Sequence, residues 1–128
     1  RSDPQYERSA EAFEFLSSSR DARGRSLRVY NIPQPDPILI TAEEAAGVQA
    51  VDGTLPRQAG DRMAASYINF YLCNGSAVVP VFDDPHDGPA LQRLQELLPE
   101  RKVVSVPARE ILLGGGNIHC ITQQQPAV

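Results

Sequence analysis

The sequence has few cysteines, no long apolar run and no cluster of basic charge. Its only cysteines, Cys73 and Cys120, are too few for a disulfide framework, and no cysteine–histidine spacing predicts a zinc site. No apolar run approaches the roughly 20 residues that cross a bilayer, so we do not expect a membrane as a partner. The net charge of −4 is spread along the chain without a basic stripe, so we do not expect nucleic acid either.

What remains is the composition of an ordinary soluble domain, with 41% apolar and 22% charged residues in a chain of 128. The first residues carry no signal-peptide pattern, which favours a cytoplasmic location. The chain opens at Arg1 without an initiator methionine, and its only methionine is Met63. We therefore expect a trimmed or excised piece of a longer protein.

The first half of the chain predicts one helix followed by short, interrupted structure. Asp3-Pro4 is typical of a helix start, and apolar side chains then recur every three or four residues, which predicts an amphipathic helix over residues 4–19. The β-branched and aromatic content of Leu27–Ile32 predicts a short strand. Residues 33–61 are rich in proline and glycine, and we expect only a brief strand there, at Ile38–Thr41.

A β-hairpin is the clearest local signal. Two runs with strand composition, Tyr67–Cys73 and Ser76–Phe82, are joined by Asn74-Gly75, the two-residue turn that matches the twist of paired strands. Side chains alternate between the two faces of a strand, so the first run has one fully apolar face. We expect that face to be core, with the residues Ile68, Phe70 and Leu72.

Residues 87–107 predict a helix, then a strand, then a proline. Asp87 can cap a helix whose leucines form an apolar stripe, and Lys102–Val106 has the composition of a strand. The same order of helix, basic linker, strand and proline occurs in residues 3–33, which is a weak signal of an internal repeat. Together these elements predict an α/β fold.

The end of the chain contains the segment with the most chemical interest. A short helical turn at Arg109–Leu112 and three glycines lead into Asn117–Thr122, which we interpret as a last strand. Glycines without a Cβ let a substrate or another chain segment come close, so Cys120 is well placed to act as a nucleophile. A buried, inert cysteine is the alternative, because free cysteine usually behaves as a small hydrophobe.

The string GGGNIHCITQQQP at residues 114–126 closely resembles the C-terminal active-site signature of agmatine deiminases. The resemblance continues upstream, in the same order, with RMAASYINF at residues 62–70 and VVPVFDD at residues 78–84. It covers residues 4–126, so the chain is similar to the C-terminal portion of an enzyme of the peptidyl-arginine deiminase-like family.

This resemblance implies the fold of the guanidine-modifying superfamily, an α/β propeller of five repeats. The chain would supply the last two, at about residues 1–65 and 66–128. It implies hydrolysis of agmatine to N-carbamoylputrescine and ammonia, in putrescine biosynthesis, without a metal or an organic cofactor. Cys120 takes the position of the nucleophile that forms a covalent intermediate. Apart from the resemblance, the glycines Gly114, Gly115 and Gly116 are candidate substrate-binding residues, because without a Cβ they let a small substrate approach closely.

The chain departs from a complete enzyme of that kind. The catalytic histidine of the family lies in a Gly-His-hydrophobic-Asp motif that this sequence lacks, as it lacks the guanidinium-binding carboxylates. Of the two histidines, His119 is predicted to face away from Cys120 across a strand, and His86 is interpreted as an exposed capping residue. Cys73 is assigned no role. We therefore expect the chain to be inactive alone and to need the missing N-terminal repeats of the same enzyme.

Two alternatives remain open at the level of sequence. The first is a related deiminase that acts on free arginine or on peptidyl arginine instead of agmatine. The second belongs to another class: a non-enzymatic module that pairs exposed sheet edges and forms a homo-oligomer. The sequence does not fix the oligomeric state in either case.

Overall fold

A computed structural model describes residues 3–126 and divides them into two compact units, the first ending at Asn31 and the second beginning at Ile32. The first unit contains helix α1 (Tyr6–Ser18), which confirms the helix predicted from the sequence. Its N-cap residue is Gln5 and not Asp3, although the Asp3 carboxylate accepts the Gln5 N–H at 2.7 Å just before the helix. No side chain of α1 is buried. Within the described residues, no helix is long and apolar enough to span a membrane.

The strand predicted at Leu27–Ile32 is wrong, since the structure assigns no strand to these residues. A single antiparallel bridge joins Arg20 to Ser26 instead. Between them the Asp21 carboxylate accepts the backbone N–H of Arg25 at 2.9 Å and its side-chain Nε at 2.6 Å. Strand composition favours a pleated, half-buried surface but does not supply a neighbouring strand, and here the chain turns back locally.

The second unit is built on a three-stranded sheet in the order β1-β2-β3. Strand β1 (Tyr71–Cys73) pairs antiparallel with β2 (Ser76–Val81), and Cys73 lies opposite Ser76 across the predicted two-residue turn. Strand β3 (Lys102–Pro107) pairs parallel with β2 after helix α3 (Asp87–Leu97) crosses over. The hairpin, the crossover helix and the last strand of the sheet are therefore confirmed, and the fold is mixed α/β.

The residues buried in the main core differ from those predicted for the first strand of the hairpin. Ile68 and Leu72 are 66% and 38% exposed, whereas Tyr67, predicted on the opposite face, is only 1% exposed. Of the predicted face, Phe70 alone packs against the core. For Ile68 the reason is that β1 begins at Tyr71, so the residues before it form a turn and do not alternate as a strand would, whereas Leu72 is the exposed residue of β1 itself. The buried residues of this core are Tyr67, Ala77, Val79, Ala90 and Leu94.

Asp87 anchors the start of α3 in a way that differs from the predicted cap. His86 is the N-cap residue, and Asp87 is the first residue of the helix. The Asp87 carboxylate accepts hydrogen bonds from the Tyr67 hydroxyl at 2.7 Å and from the Phe82 N–H at 3.2 Å. It also accepts the N–H of Asp84 at 3.1 Å. Burial, followed by the bond to Asp87, raises the pKa of Tyr67.

A second cluster of apolar side chains lies under helix α2 (Ala42–Gly47) and helix α4 (Arg109–Leu112). The brief strand expected at Ile38–Thr41 is reduced to one antiparallel bridge, between Leu39 and Arg62. The helical turn expected over residues 109–112 is confirmed as α4. The buried members of this cluster are Ile38, Ile40, Met63 and Leu112.

An ion pair joins the two short helices. Arg109 Nε donates to Glu44 Oε1 at 2.7 Å, and Arg109 Nη2 donates to Glu44 Oε2 at 3.0 Å, which is a bidentate contact. This bond, followed by the Thr41 backbone N–H, lowers the pKa of the Glu44 carboxyl to about 2. Glu44 also forms a capping box with Thr41 at the start of α2. The pair therefore joins α4 to α2. Leu113 connects α4 to the glycine loop, Gly114–Gly116.

Candidate active site

The segment that carries Cys120 is a short 3-10 helix, His119–Ile121, and not the strand predicted at Asn117–Thr122. The Cys120 N–H donates to the Asn117 carbonyl at 2.9 Å, so the backbone bonds locally and forms no ladder. Consecutive side chains in such a helix differ by about a third of a turn. The expectation that His119 and Cys120 point to opposite faces therefore loses its basis, and both side chains are exposed.

Asn69 holds this segment from across the chain. Its Oδ1 accepts the His119 N–H at 2.9 Å, and its Nδ2 donates to Cys120 Sγ at 3.2 Å. The Asn117 backbone and then the Asn69 side chain hold the pKa of the Cys120 thiol below its ordinary value, against an opposing effect of burial. A thiol with a lowered pKa and an exposed sulfur is the arrangement of a reactive cysteine, which disagrees with the buried, inert alternative.

Sequence reasoning gave Asn69 no role, although it lies in the string at residues 62–70 that carries the upstream resemblance. The residue type was the hint that the sequence offered, because the side-chain amide of asparagine can donate to one neighbouring group and accept from another. Its partners are 50 and 51 residues away, and a local pattern cannot reveal them.

The Asn69–Cys120 bond makes a direct prediction. Asn69→Asp replaces the donor with a carboxylate, so the pKa of the Cys120 thiol should rise and the pH midpoint of its alkylation should move upward. Iodoacetamide labelling at a series of pH values, with Cys120 labelling measured by mass spectrometry, gives that midpoint. Asn74→Asp is the matched control, because the hairpin turn accepts aspartate as readily as asparagine. An unchanged midpoint in Asn69→Asp would show that this bond does not tune the thiol.

In the glycine loop, the space that a Cβ would fill is occupied by other side chains of the same chain. A Cβ on Gly116 would lie 2.8 Å from Cys120 Cβ and 3.1 Å from Cys120 Sγ. Gly115 has a φ of +87°, and a Cβ there would collide with the guanidinium of Arg57. The structure thus brings Cys120 and the glycines together, as the sequence predicted. Substrate binding by Gly114, Gly115 and Gly116 stays a prediction.

His86 lies in a different polar cluster. Its Nδ1 is 2.7 Å from Asp84 Oδ1, and Asp84 Oδ2 accepts the Asp36 N–H at 2.9 Å. Ligand atoms of Asp36, Asp84 and His86 lie within 4.8 Å of one another, so they are the described residues that could hold a metal ion. Both Asp84 oxygens already accept protein N–H groups, which gives the cluster a structural explanation. Among residues 3–126, no hydrogen bond joins His86 to Cys120.

Comparison with known proteins places these features in a family context. The profile of the Porphyromonas-type peptidyl-arginine deiminase family matches residues 1–126. A candidate agmatine deiminase of Listeria monocytogenes is 62% identical over 124 residues, which are 97% of this chain and 34% of that protein. The agmatine deiminase of Pseudomonas aeruginosa is 55% identical over 125 residues, which are 98% of this chain and 34% of that protein.

A solved structure gives the same result. Agmatine deiminase of Enterococcus faecalis superposes with a TM-score of 0.88 at 39% identity, and the match covers 98% of this chain and 34% of that one. The chain therefore spans about a third of the length of the relatives it matches. The resemblance predicted from the sequence strings is confirmed at the level of the family.

Proposed function

The chain belongs to the Porphyromonas-type peptidyl-arginine deiminase family, and from that membership we propose that it is one part of an agmatine deiminase whose nucleophile is Cys120. The observation that carries the proposal is the exposed Cys120 sulfur, held at 3.2 Å by Asn69 Nδ2 beside a glycine loop. Because the chain spans about a third of its relatives, the activity belongs to the longer polypeptide that contains these residues.

The first half of the proposed reaction uses the thiolate. A guanidinium carbon shares its positive charge with three nitrogens and is a poor electrophile for water, whereas a thiolate is a strong nucleophile. Cys120 Sγ forms a bond to the guanidinium carbon of agmatine and gives a tetrahedral adduct. The bond from that carbon to a terminal nitrogen then breaks, and the nitrogen leaves as ammonia after it takes up a proton. An amidino-thioether on Cys120 remains.

The second half releases the product. Water adds to the carbon of the thioether, gives up its proton, and the carbon–sulfur bond breaks, so the sulfur leaves as thiolate. The product is N-carbamoylputrescine, which would place the enzyme in putrescine formation. The Asn69 amide stabilises the thiolate at the start and at the end of the cycle, since its Nδ2 donates to the sulfur.

The remaining two thirds of the polypeptide would supply what this part lacks. The proton transfers need a general acid and base, and the planar guanidinium needs carboxylates that pair with its N–H groups. We propose that these groups lie in further repeats of a five-repeat α/β propeller, of which residues 1–65 and 66–128 are two. No step of this reaction calls for a metal or an organic cofactor, because the thiolate is the nucleophile.

The test measures ammonia release by the full-length polypeptide with agmatine, free arginine and a peptidyl-arginine substrate. We expect turnover of agmatine, and negligible turnover by the 128-residue chain alone. Mixing the chain with a separately produced remainder of the polypeptide should restore activity. Preference for arginine or peptidyl arginine would replace agmatine deimination with a related deimination, and absence of ammonia from all three substrates would refute the proposal.

A non-enzymatic module that forms homo-oligomers is the second candidate, and exposed apolar side chains favour it. Ile68 and Ile121 are 66% and 69% exposed, and Leu72 on the edge strand β1 is 38% exposed. The same side chains would be covered by the rest of a longer enzyme. Size-exclusion chromatography separates the two, because a well-folded oligomer that responds neither to agmatine nor to a thiol alkylator would favour the module.

A further inference from the structure

The loop before Cys120 is held from both ends by backbone hydrogen bonds. At its start, the N–H groups of Gly114 and Gly115 donate to the carbonyls of Ile111 and Leu112 at 3.1 Å and 2.8 Å. At its end, the Cys120 N–H donates to the Asn117 carbonyl. These bonds continue α4 into the loop and close the short helix. None of these bonds involves the Leu113 carbonyl or Gly116, so this part of the loop needs a further contact.

Arg57 provides that contact from a distant part of the chain. Its Nε donates to the Leu113 carbonyl at 3.2 Å across 56 residues of sequence. Its guanidinium lies against Gly115, so close that a Cβ there would collide with Nη2 and would lie 3.2 Å from the guanidinium carbon. The half-buried guanidinium therefore covers the loop at its one residue with a φ of +87°.

A displacement of Gly115 would be transmitted to Cys120 through a single residue, Gly116. Gly116 follows it directly, and the Cβ position of Gly116 is within 2.8 Å of Cys120 Cβ. A cavity of about 290 Å³, lined by Arg57 and Gly115 among others, lies beside this contact and gives the loop space to move if the guanidinium is lost. A displacement of Gly115 would therefore move Gly116 relative to the Cys120 side chain.

Arg57 is not among the groups that lower the pKa of Cys120, which are the Asn117 backbone, the Asn69 side chain and the Cys120 backbone. Arg57 and Asn69 would therefore act on the same sulfur in different ways. Asn69 contacts the sulfur and stabilises the thiolate, whereas Arg57 contacts Leu113 and Gly115 in the loop.

We propose that Arg57 is a positioning residue that fixes the Gly114–Gly116 loop and thereby the location of the Cys120 sulfur. The proposal rests on the function proposed above, since it concerns the same nucleophile. It also assigns a second role to Gly115. Glycine is required there because the guanidinium occupies the space in which any other side chain would begin.

The experiment uses the full-length enzyme with Arg57→Ala and Arg57→Lys. Because a displacement of about 1 Å can slow an enzyme roughly 10²-fold, we expect kcat for agmatine to fall by about 10- to 100-fold in both variants. Lysine keeps the charge but lacks the planar fork, so it should not restore kcat. The pH midpoint of Cys120 alkylation should stay at its wild-type value, and thermal unfolding should show that both variants are folded.

A double-mutant cycle tests the contact itself. Gly115→Ala adds both a collision with the guanidinium and the strain of a positive φ. In that background, Arg57→Ala relieves the collision and leaves the strain. The double variant should therefore lose less activity than the product of the two single losses predicts. Gly60→Ala is the matched control for strain, because Gly60 has a φ of +89° and nothing lies within 4 Å of its Cβ position. It should leave kcat within about twofold of wild type.

Three outcomes would overturn the proposal: kcat within twofold of wild type in Arg57→Ala, an alkylation midpoint that rises with the loss of kcat, or full additivity in the cycle. A rising midpoint would indicate a role of charge instead. These results are distinct from failure of the proposed function, which would appear as turnover by an enzyme without Cys120, whatever residue stands at position 57.

Discussion

Replacing Cys120 with alanine in the full-length enzyme is expected to lower ammonia release from agmatine by on the order of 10⁴-fold or more, as removal of a covalent nucleophile does in other enzymes. The reason is that alanine cannot form the bond to the guanidinium carbon, and water alone would have to attack a resonance-stabilised cation. Substrate binding should survive, because the exposed thiol contributes little apolar contact. Steady-state kinetics and isothermal titration with agmatine measure the two effects separately.

Cys73→Ala is the matched control for that loss. Cys73 is the other cysteine of the chain, is half-buried at the end of β1, and its sulfur reaches only the Ser76 carbonyl, at 3.5 Å, among the described hydrogen bonds. We expect its replacement to leave kcat nearly unchanged. Turnover by Cys120→Ala that matches turnover by Cys73→Ala would remove Cys120 from the role of nucleophile.

The parts of the fold that the sequence predicts well are those set by local signals. Asn74-Gly75 specifies its own turn, with Gly75 at a φ of +75°, and the strands on either side follow from it. The apolar stripe of α3 is likewise a local pattern, and Ala90 and Leu94 are buried as it requires. In both cases the residues that decide the structure are neighbours in sequence.

The failures occur where distant residues decide. Leu27–Ile32 has strand composition, but no strand pairs with it in the part of the chain that the structure describes. Asn117–Thr122 has β-branched residues, yet its residues His119–Ile121 form a 3-10 helix, and Asn69 accepts the His119 N–H that a neighbouring strand would have taken. Composition indicates which secondary structures a segment can adopt. The tertiary partner that the fold supplies determines which of them it does adopt.

The candidate site divides in the same way. The sequence singled out Cys120 because it lies in the specific string at residues 114–126. It did not reveal which residues lie near Cys120 in space. Asn69 reaches Cys120 across 51 residues and Arg57 reaches Leu113 across 56, and neither has a local sequence pattern that predicts the contact. The repeat boundary near residue 65 stays a prediction, as does the substrate role of Gly114, Gly115 and Gly116.

The largest expected effect on stability comes from Asp87→Ala. The carboxylate accepts the Tyr67 hydroxyl at 2.7 Å and the N–H groups of Phe82 and Asp84 at 3.2 Å and 3.1 Å. Alanine leaves all three donors without this acceptor, and Tyr67 is 1% exposed, so water cannot readily replace it. We expect a loss of about 3 kcal/mol in the free energy of unfolding, measured by urea denaturation followed by circular dichroism.

Tyr67→Phe separates the contributions to that loss. It removes only the hydroxyl, keeps the ring that packs against Phe82 at 5.4 Å between centroids, and leaves the two backbone N–H bonds of Asp87 in place. Its expected cost is about 1 kcal/mol. Equal losses in Tyr67→Phe and Asp87→Ala would mean that the backbone bonds contribute nothing. A larger loss in Asp87→Ala would show that the carboxylate stabilises the junction between β2 and α3, from which the rest of the sheet is built.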